Sequence, residues 1–135
     1  PLKVAGDGTQ AQILKQKVRN NIEFLGRVSD EKLRELYGNA KAFVFPALED
    51  AGIMVLESLS CGTSVIGLNA GGTAEFVRDG TEGVLFENQS MEHIIKALKR
   101  FETISFEPEK LRNRALEFDK KVFKAKILDK IRKKV

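Results

Sequence analysis

The sequence predicts an α/β fold, a Rossmann-like parallel sheet with helices on both faces. Two observations support this prediction. Short and continuously apolar runs, typical of strands buried on both faces, alternate with longer segments whose apolar residues recur at helical spacing. Turn residues, mainly glycine, asparagine and aspartate, separate the two kinds of segment. This alternation is typical of βαβ units.

The predicted elements follow one another along the chain without an internal repeat. Strands are predicted at 2–5, 22–25, 42–45, 64–68 and 83–86. Helices are predicted at about 9–19, 29–38, 53–60, 71–77, 90–102, 108–118 and 120–133. The prediction is one domain over residues 1–135, with C-terminal helices from about 108 to 134.

Local signals predict several helix ends. Thr9 as N-cap, with Gln12 reaching back, would form a capping box at the first helix. Ser29 or Asp30 is predicted to cap the second helix, and Gly38 to end it.

The composition is that of a globular protein, with 42% hydrophobic and 31% charged residues. The net charge of +4 suits an anionic ligand, but much of it comes from the lysine-rich C-terminus, so a solvated basic face is favoured over nucleic-acid binding. The single cysteine excludes an internal disulfide and fits a reducing compartment. A cytoplasmic location is therefore predicted, with the inner face of the membrane as the alternative. No apolar run approaches the roughly 18 residues that span a bilayer.

The first candidate site is the sequence Gly6-x-Gly8-x-x-Ala11, which has the form of a dinucleotide-binding fingerprint. That fingerprint also needs an acidic residue at the end of the next strand, where this chain has Arg27. Asp30 is better explained as a helix cap. A tight strand-to-helix turn that needs glycine for backbone reasons is favoured over binding of a nicotinamide cofactor.

The second candidate site runs from Glu49 to Glu57. Glu49 lies in a loop after a strand, and Gly52 removes a side chain where a ligand could approach the backbone. The N–H groups of residues 53–55 are the unpaired donors of a helix start, and they favour a phosphate. Glu57, in an apolar segment, needs a partner if it is buried, and sugar hydroxyls would serve. Taken alone, Glu57 is equally well explained as an exposed helix residue.

The third candidate is Asn69 to Glu75, in which two glycines precede a helix and form a second turn rich in N–H groups. A simple loop with Gly72 as N-cap explains it equally well. His93 and Cys61 are interpreted as structural residues, and a single histidine supports neither a metal cluster nor a serine triad. In the last helix, an apolar stripe at 123, 127 and 131 is predicted to dock onto the domain, with membrane-surface contact as the alternative.

These segments together resemble the C-terminal, nucleotide-sugar-binding domain of retaining GT-B glycosyltransferases of the family-four type. The resemblance extends over essentially the whole chain and rests on an ordered set of motifs rather than on any one of them. The motifs are Leu2 to Gly8, Phe24 to Asp30, Phe45-Pro46-Ala47, the E-x7-E spacing of Glu49 and Glu57, Cys61-Gly62-Thr63, Gly71-Gly72 with Glu75, and Asp79-Gly80 with Gly83. The Glu49-Asp50 spelling and the tail from Phe106 to Phe123 look like the mannosyltransferase branch of that family.

The resemblance implies a role for each part of the site. Glu49 would act on the donor sugar as the catalytic-site residue, and Glu57 would bind the nucleotide ribose. Backbone N–H groups would contact sugar and diphosphate, and the segment after the second strand would lie near the base. The implied binding residues, besides these two glutamates, are Asp50, Ala51, Gly52, Ile53, Met54 and Val55 in the first group and Gly26, Arg27 and Val28 in the second.

The resemblance also implies the reaction and its partners. A sugar, mannose from GDP-mannose on the branch assignment, would pass with retention from a nucleotide-diphosphate sugar to a glycan or lipid-linked acceptor. No cofactor or metal is expected, and peripheral contact with a membrane is the one further partner considered. The acceptor would bind through an N-terminal domain that this sequence does not contain.

Three departures from the family pattern bear on these expectations. Asp50-Ala51 stands where Gly-Phe is usual, so sugar positioning is expected to differ. Met54 stands where proline is common. The first strand and helix, which carry the arginine and lysine of the diphosphate clamp, are absent. Either they lie outside this sequence or the sheet has a gap between strands 2–5 and 42–45. The isolated chain is therefore expected to be inactive. A non-catalytic sugar-nucleotide module and an NAD-binding domain are the alternative functions.

Overall fold

The computed structural model describes residues 1–133 of the chain. Its strands are β1 (Leu2–Ala5), β2 (Ile22–Gly26), β3 (Phe43–Phe45), β4 (Val65–Leu68) and β5 (Gly83–Phe86). Its helices are α1 (Ala11–Lys17), α2 (Asp30–Asn39), α3 (Ile53–Ser60), α4 (Gly71–Phe76), α5 (Met91–Phe101), α6 (Pro108–Leu116) and α7 (Lys120–Arg132). Every predicted element is present, and the boundaries differ by a few residues. Position 134, to which the C-terminal helices were predicted to extend, lies outside the described residues.

All strand pairings in the described residues are parallel, as predicted, and they form two sheets. One sheet contains β1 and β2, and the other has the order β3-β4-β5. Strands 2–5 and 42–45, between which the resemblance places the missing strand, belong to different sheets. The chain also divides into two compact units, Pro1–Leu36 and the residues from Tyr37 onward.

In the first unit, β1 and β2 pair with Leu2 opposite Ile22. The predicted capping box is wrong: the N-cap of α1 is Gln10, and its side chain makes no capping hydrogen bond. The reason is the tight backbone turn before the helix, in which the Ala11 N–H donates to the Gly8 carbonyl at 2.9 Å. Within Pro1–Leu36 no residue is fully buried.

Ser29 caps α2, since its hydroxyl accepts a hydrogen bond from the Lys32 N–H at 3.3 Å. Helix α2 continues past Gly38 to Asn39, one residue beyond the predicted end.

In the second unit, the middle strand β4 is buried along its whole length. One face of the sheet packs on α3, α4 and α6, and its buried residues are Phe45, Val55, Leu59, Val65, Phe76, Val77 and Leu111. The other face packs mainly on α5, and its buried residues are Ile66, Leu68, Val84, Phe86 and Ala97. Alternate residues of β4 therefore enter opposite cores, and helices cover both faces as predicted.

Strand β3 forms an edge of this sheet, because among the described strands it pairs only with β4. It ends before Pro46, whose carbonyl accepts a hydrogen bond from the Gln89 side chain at 2.7 Å.

Helix α7 starts at the cap Asp119, whose carboxylate accepts a hydrogen bond from the Lys121 N–H at 2.8 Å. It buries none of its side chains. The docking predicted for its apolar stripe is therefore not observed in the described residues. Among these residues, no helix is long and apolar enough to cross a membrane.

Candidate functional site

The loop between β3 and α3 turns on Gly52. This residue adopts the left-handed conformation, with φ of 56°, and serves as the N-cap of α3. A side chain in that conformation is strained, so glycine is favoured for backbone reasons. The turn places the start of α3 beyond the carboxyl end of the sheet, where the second candidate site was predicted.

The second and third candidate segments lie against each other. The Gly72 N–H donates to the Glu49 carbonyl at 2.9 Å. A methyl group on Gly71 would collide with that same carbonyl oxygen, and one on Gly72 would lie 2.6 Å from the Ala51 carbonyl oxygen. The two glycines therefore allow the loop before α3 to contact the start of α4. The N-cap of α4 is Ala70, so the predicted cap at Gly72 is wrong.

The first turn of α3 presents N–H groups that have no internal acceptor. The Val55 N–H donates to the Gly52 carbonyl at 2.9 Å. In residues 1–133, the N–H groups of Ile53 and Met54 have no such acceptor. These donors, together with the helix dipole, favour an anionic group at this end of α3.

Three carboxylates belong to this loop and helix, those of Glu49 and Asp50 before Gly52 and that of Glu57 in the second turn of α3, and all three residues are exposed. Because Glu57 is exposed, it does not need the hydrogen-bond partner that a buried carboxylate would require. None of the three has an ion-pair partner within the described part of the chain. They remain available to accept hydrogen bonds from hydroxyl groups of a ligand.

Tyr37, in α2, is a neighbour of Glu57 in this site. Burial raises its pKa to about 12, and the negative charges of Glu57 and Cys61 act in the same direction. Its hydroxyl is buried and has no hydrogen-bond partner among residues 1–133. Its ring packs edge-on against Phe43 at 5.1 Å between centroids. No signal in the sequence distinguishes this tyrosine from the core positions beside it.

Thr73, like Tyr37, is a polar residue with a buried hydroxyl group. It is 1% exposed, and its hydroxyl has no hydrogen-bond partner in the described residues. It follows Gly72 in α4, and its methyl group fills the space over Gly67 of β4. In the sequence, Thr73 is distinguished only by its place within the third candidate, residues 69–75.

The other candidate positions belong to the first unit. Gly26, with φ of 66°, ends β2 in the first unit, followed by the exposed Arg27 and the half-buried Val28. Their predicted place near a base stays a prediction. Gly6 has φ of 116°, and its N–H donates to the Gly26 carbonyl at 2.7 Å, which supports the backbone explanation of the first candidate.

The motif at Asp79 and Gly83 has a structural role in this chain. Asp79 pairs with Arg100 at 2.7 Å and also accepts the Leu85 N–H. The buried carboxylate of Glu82 pairs with Arg78, whose guanidinium it holds at a raised pKa. His93 contacts Ser90 at 2.7 Å at the start of α5, as a structural residue. Among residues 1–133, no group of three or more metal-ligating side chains could hold an ion.

The family profile described as glycosyl transferases group 1 matches residues 1–118. The chain belongs to the group 1 glycosyltransferases. Members of this family use nucleotide-sugar donors and are generally independent of metal.

Three relatives show the range of this glycosyltransferase family. An uncharacterized glycosyltransferase of Methanocaldococcus jannaschii is 33% identical over 62% of the chain and 23% of that relative. The O-antigen chain mannosyltransferase B of Escherichia coli is 35% identical over 58% of the chain and 21% of the relative. Glycogen synthase of Mycobacterium tuberculosis is 35% identical over 62% of the chain and 22% of the relative. The chain thus spans less than a quarter of the length of these relatives.

Solved structures share the fold of this glycosyltransferase. The apo form of the lipopolysaccharide outer core galactosyltransferase WaaB matches 99% of the chain and 41% of its own, with a TM-score of 0.81 and 17% identity. Anabaena Alr3699/HepE in complex with UDP and glucose matches 97% of the chain and 40% of its own, with a TM-score of 0.76 and 20% identity. The α/β fold is therefore that of GT-B glycosyltransferases.

Proposed function

We propose that this glycosyltransferase chain binds the nucleotide-diphosphate sugar of a retaining transfer, as the C-terminal donor-binding part of a longer enzyme. One observation carries the proposal. The loop at 49–52 lies against Gly71 and Gly72, so that exposed carboxylates and unpaired N–H groups share one end of the sheet. N–H groups suit a diphosphate, and carboxylates suit hydroxyl groups.

Each part of the site has a chemical role in this proposal. Glu49 accepts hydrogen bonds from hydroxyls of the donor sugar at the reacting centre, and Glu57 accepts those of the ribose. Within residues 51–55, the unpaired N–H groups of Ile53 and Met54 would be offered to the diphosphate. As the sugar leaves, negative charge grows on the diphosphate, and donors already fixed in position stabilise that charge.

Mannose transfer from GDP-mannose is the specific reaction that we propose. The similarity to a mannosyltransferase of Escherichia coli and the Glu49-Asp50 spelling support it. A glucose donor is the competing assignment, since a glycogen synthase is as similar and Alr3699/HepE was solved with UDP and glucose.

The reaction needs more than this chain. An acceptor domain for a glycan or lipid-linked substrate and the cationic diphosphate clamp are proposed to lie in the rest of the enzyme. The isolated chain then binds the donor without transferring the sugar. The proposed location is the cytoplasm, with peripheral contact at the inner face of the membrane.

Calorimetric titration of the chain with GDP, UDP, GDP-mannose and NAD tests the donor assignment. GDP-mannose is expected to bind most tightly. Glu57→Ala should weaken both GDP and GDP-mannose by about tenfold or more, because a hydrogen bond to a charged group is lost. Glu49→Ala should weaken GDP-mannose while leaving GDP unchanged. The control is Glu109→Ala, an exposed glutamate of α6.

Binding of NAD in preference to every sugar nucleotide, or unchanged GDP binding in Glu57→Ala, contradicts the assignment. The departure at Asp50-Ala51 favours one second function, a binding module that has lost catalysis. The full-length protein with a labelled donor separates the two, because only the enzyme transfers the label to an acceptor.

A further inference from the structure

Helix α7 carries the net positive charge of the chain. It contains six basic residues and one acidic residue, Asp129, so its net charge is +5, whereas the whole chain has +4. The remaining residues are therefore slightly negative in sum. The family profile ends at residue 118, before α7 begins, whereas the fold shared with the solved galactosyltransferase structure extends over 99% of the chain.

An apolar stripe runs along the same helix and faces solvent. Phe123, Ile127 and Ile131 recur every four residues, which places them on one side of the helix. They are 63%, 42% and 55% exposed, and the adjoining Leu128 is 43% exposed. We call these four residues the α7 stripe. An exposed run of four large apolar side chains marks an interaction surface rather than a scattered surface residue.

Lysine side chains flank the row formed by Phe123, Ile127 and Ile131. At 100° per residue, Lys126 and Lys130 lie along one edge of that row, and Lys124 lies along the other, between Ile131 and Leu128. None of the three has an ion-pair partner within residues 1–133, whereas Asp129 is paired with Lys133 at 2.7 Å. Lysine stems can extend over apolar surface while the ammonium groups reach a polar layer.

We propose that α7 binds the surface of an anionic lipid bilayer. The α7 stripe would enter the boundary between headgroups and acyl chains, and the bordering lysines would contact lipid phosphates. The apolar side chains decide against nucleic acid, since a polyanion alone would satisfy the lysines and leave Phe123 and Ile127 in water. The proposal deepens the membrane contact named in the proposed function by assigning it to one helix, and it is independent of the donor chemistry.

Co-sedimentation of the 135-residue chain with lipid vesicles tests this proposal. Binding is expected to vesicles of mixed phosphatidylcholine and phosphatidylglycerol, to be absent with phosphatidylcholine alone, and to fall as salt rises. The triple variant Lys124→Gln/Lys126→Gln/Lys130→Gln should lower the partition constant about 100-fold. The matched control replaces three exposed lysines outside α7, Lys15, Lys17 and Lys99, by glutamine and should bind as the native chain does.

The apolar contribution is measured separately. Phe123→Ser and Ile127→Ser should each weaken vesicle binding about tenfold, because the buried apolar area is lost. Met91→Ser, at a 78% exposed methionine of α5, is the matched control. Circular dichroism verifies that each variant keeps its helix content, as expected for changes at exposed positions.

Three outcomes overturn the proposal: equal binding to neutral vesicles, unchanged binding in the lysine or Phe123→Ser variants, or preference for an oligonucleotide over anionic vesicles. Glu57→Ala should bind vesicles normally. Failure of vesicle binding with intact GDP binding overturns the role of α7 alone, and the reverse result overturns the donor assignment alone.

Discussion

Tyr37 has a buried hydroxyl group without a hydrogen-bond partner in the described chain, near Glu57 and Cys61. A buried hydroxyl that lacks a partner costs free energy, whereas the same ring without the hydroxyl does not. Because its pKa is raised to about 12, the group stays neutral at any physiological pH. Tyr37 therefore places an uncharged side chain near Glu57 of α3.

Replacing Tyr37 by phenylalanine should preserve or raise stability at pH 7, by up to about 1 kcal/mol, since an unpaired buried hydroxyl is removed. The native chain should also lose stability between about pH 10 and pH 12. In that window the unfolded tyrosine releases its proton while the folded one keeps it, and the slope is at most about 1.4 kcal/mol per pH unit. Tyr37→Phe should lack this component. Urea unfolding of both proteins at a series of pH values provides the measurement. Parallel alkaline profiles would contradict the assigned pKa.

Gly71 is the residue at which the candidate site tolerates least change. It combines a φ of 57° with a position against the Glu49 carbonyl. Gly71→Ala should destabilise the chain by about 1–3 kcal/mol from backbone strain alone. It should also abolish donor binding, because the two loops are forced apart. Gly8→Ala is the control, since an added methyl group there meets nothing within 4 Å. A Gly71→Ala chain with native stability and native GDP binding would mean that the loops are not in contact.

Arg114 of α6 stabilises the C-terminal end of α4. The Arg114 guanidinium donates to the carbonyls of Glu75 and Phe76, at 2.8 and 2.9 Å, and lies 4.7 Å from the centre of the Phe118 ring. These are last-turn carbonyls, which otherwise lack donors inside the helix. One side chain thus holds the end of the short helix whose start contacts Glu49.

Arg114→Lys should therefore cost about 1–3 kcal/mol of folding free energy, because a single ammonium group cannot reproduce the planar fork of donors. Arg132→Lys, at an exposed position of α7, serves as the control and should change stability by less than about 0.5 kcal/mol. Chemical denaturation measures both. Equal midpoints for the two variants would refute the fastening role of Arg114.

The sequence predicted those elements whose ends are set by local chemistry. The predicted α3 has the observed bounds, because Gly52 begins the helix and Cys61-Gly62 ends it. The capping box at Thr9 failed because a backbone turn moved the N-cap to Gln10. The contact between Gly72 and Glu49 joins segments distant in sequence, and no local pattern encodes it. The exposure of α7 was not predicted either. The spacing of its apolar residues predicts a stripe on one side of the helix, but it does not identify what packs against that stripe.

For the molecule as a whole, the two compact units differ in how much they bury. Within Pro1–Leu36 no side chain is fully buried, whereas β4 in the second unit is buried throughout. The free energy that protects a backbone amide depends on the apolar area buried around it. The two units are therefore expected to differ in the free energy of local opening.

Hydrogen exchange followed by mass spectrometry should show faster exchange in β1 and β2 than in β4 and β5. The expected difference in protection is at least about tenfold, corresponding to about 1.4 kcal/mol. Peptides that cover α5 serve as an internal reference, because that helix packs on the second sheet. Equal protection in both sheets would show that the chain opens as a single cooperative unit.

The end of β3 bears on the solubility of the chain. An exposed strand edge invites another strand to join it, which is one route to fibrous aggregates. Here the edge is only three residues long and is followed by Pro46, which has no N–H and whose carbonyl is already bonded to Gln89. A strand from a neighbouring molecule would find no donor at that position, and the carbonyl is already bonded. One proline and one glutamine therefore oppose edge-to-edge pairing at the end of β3.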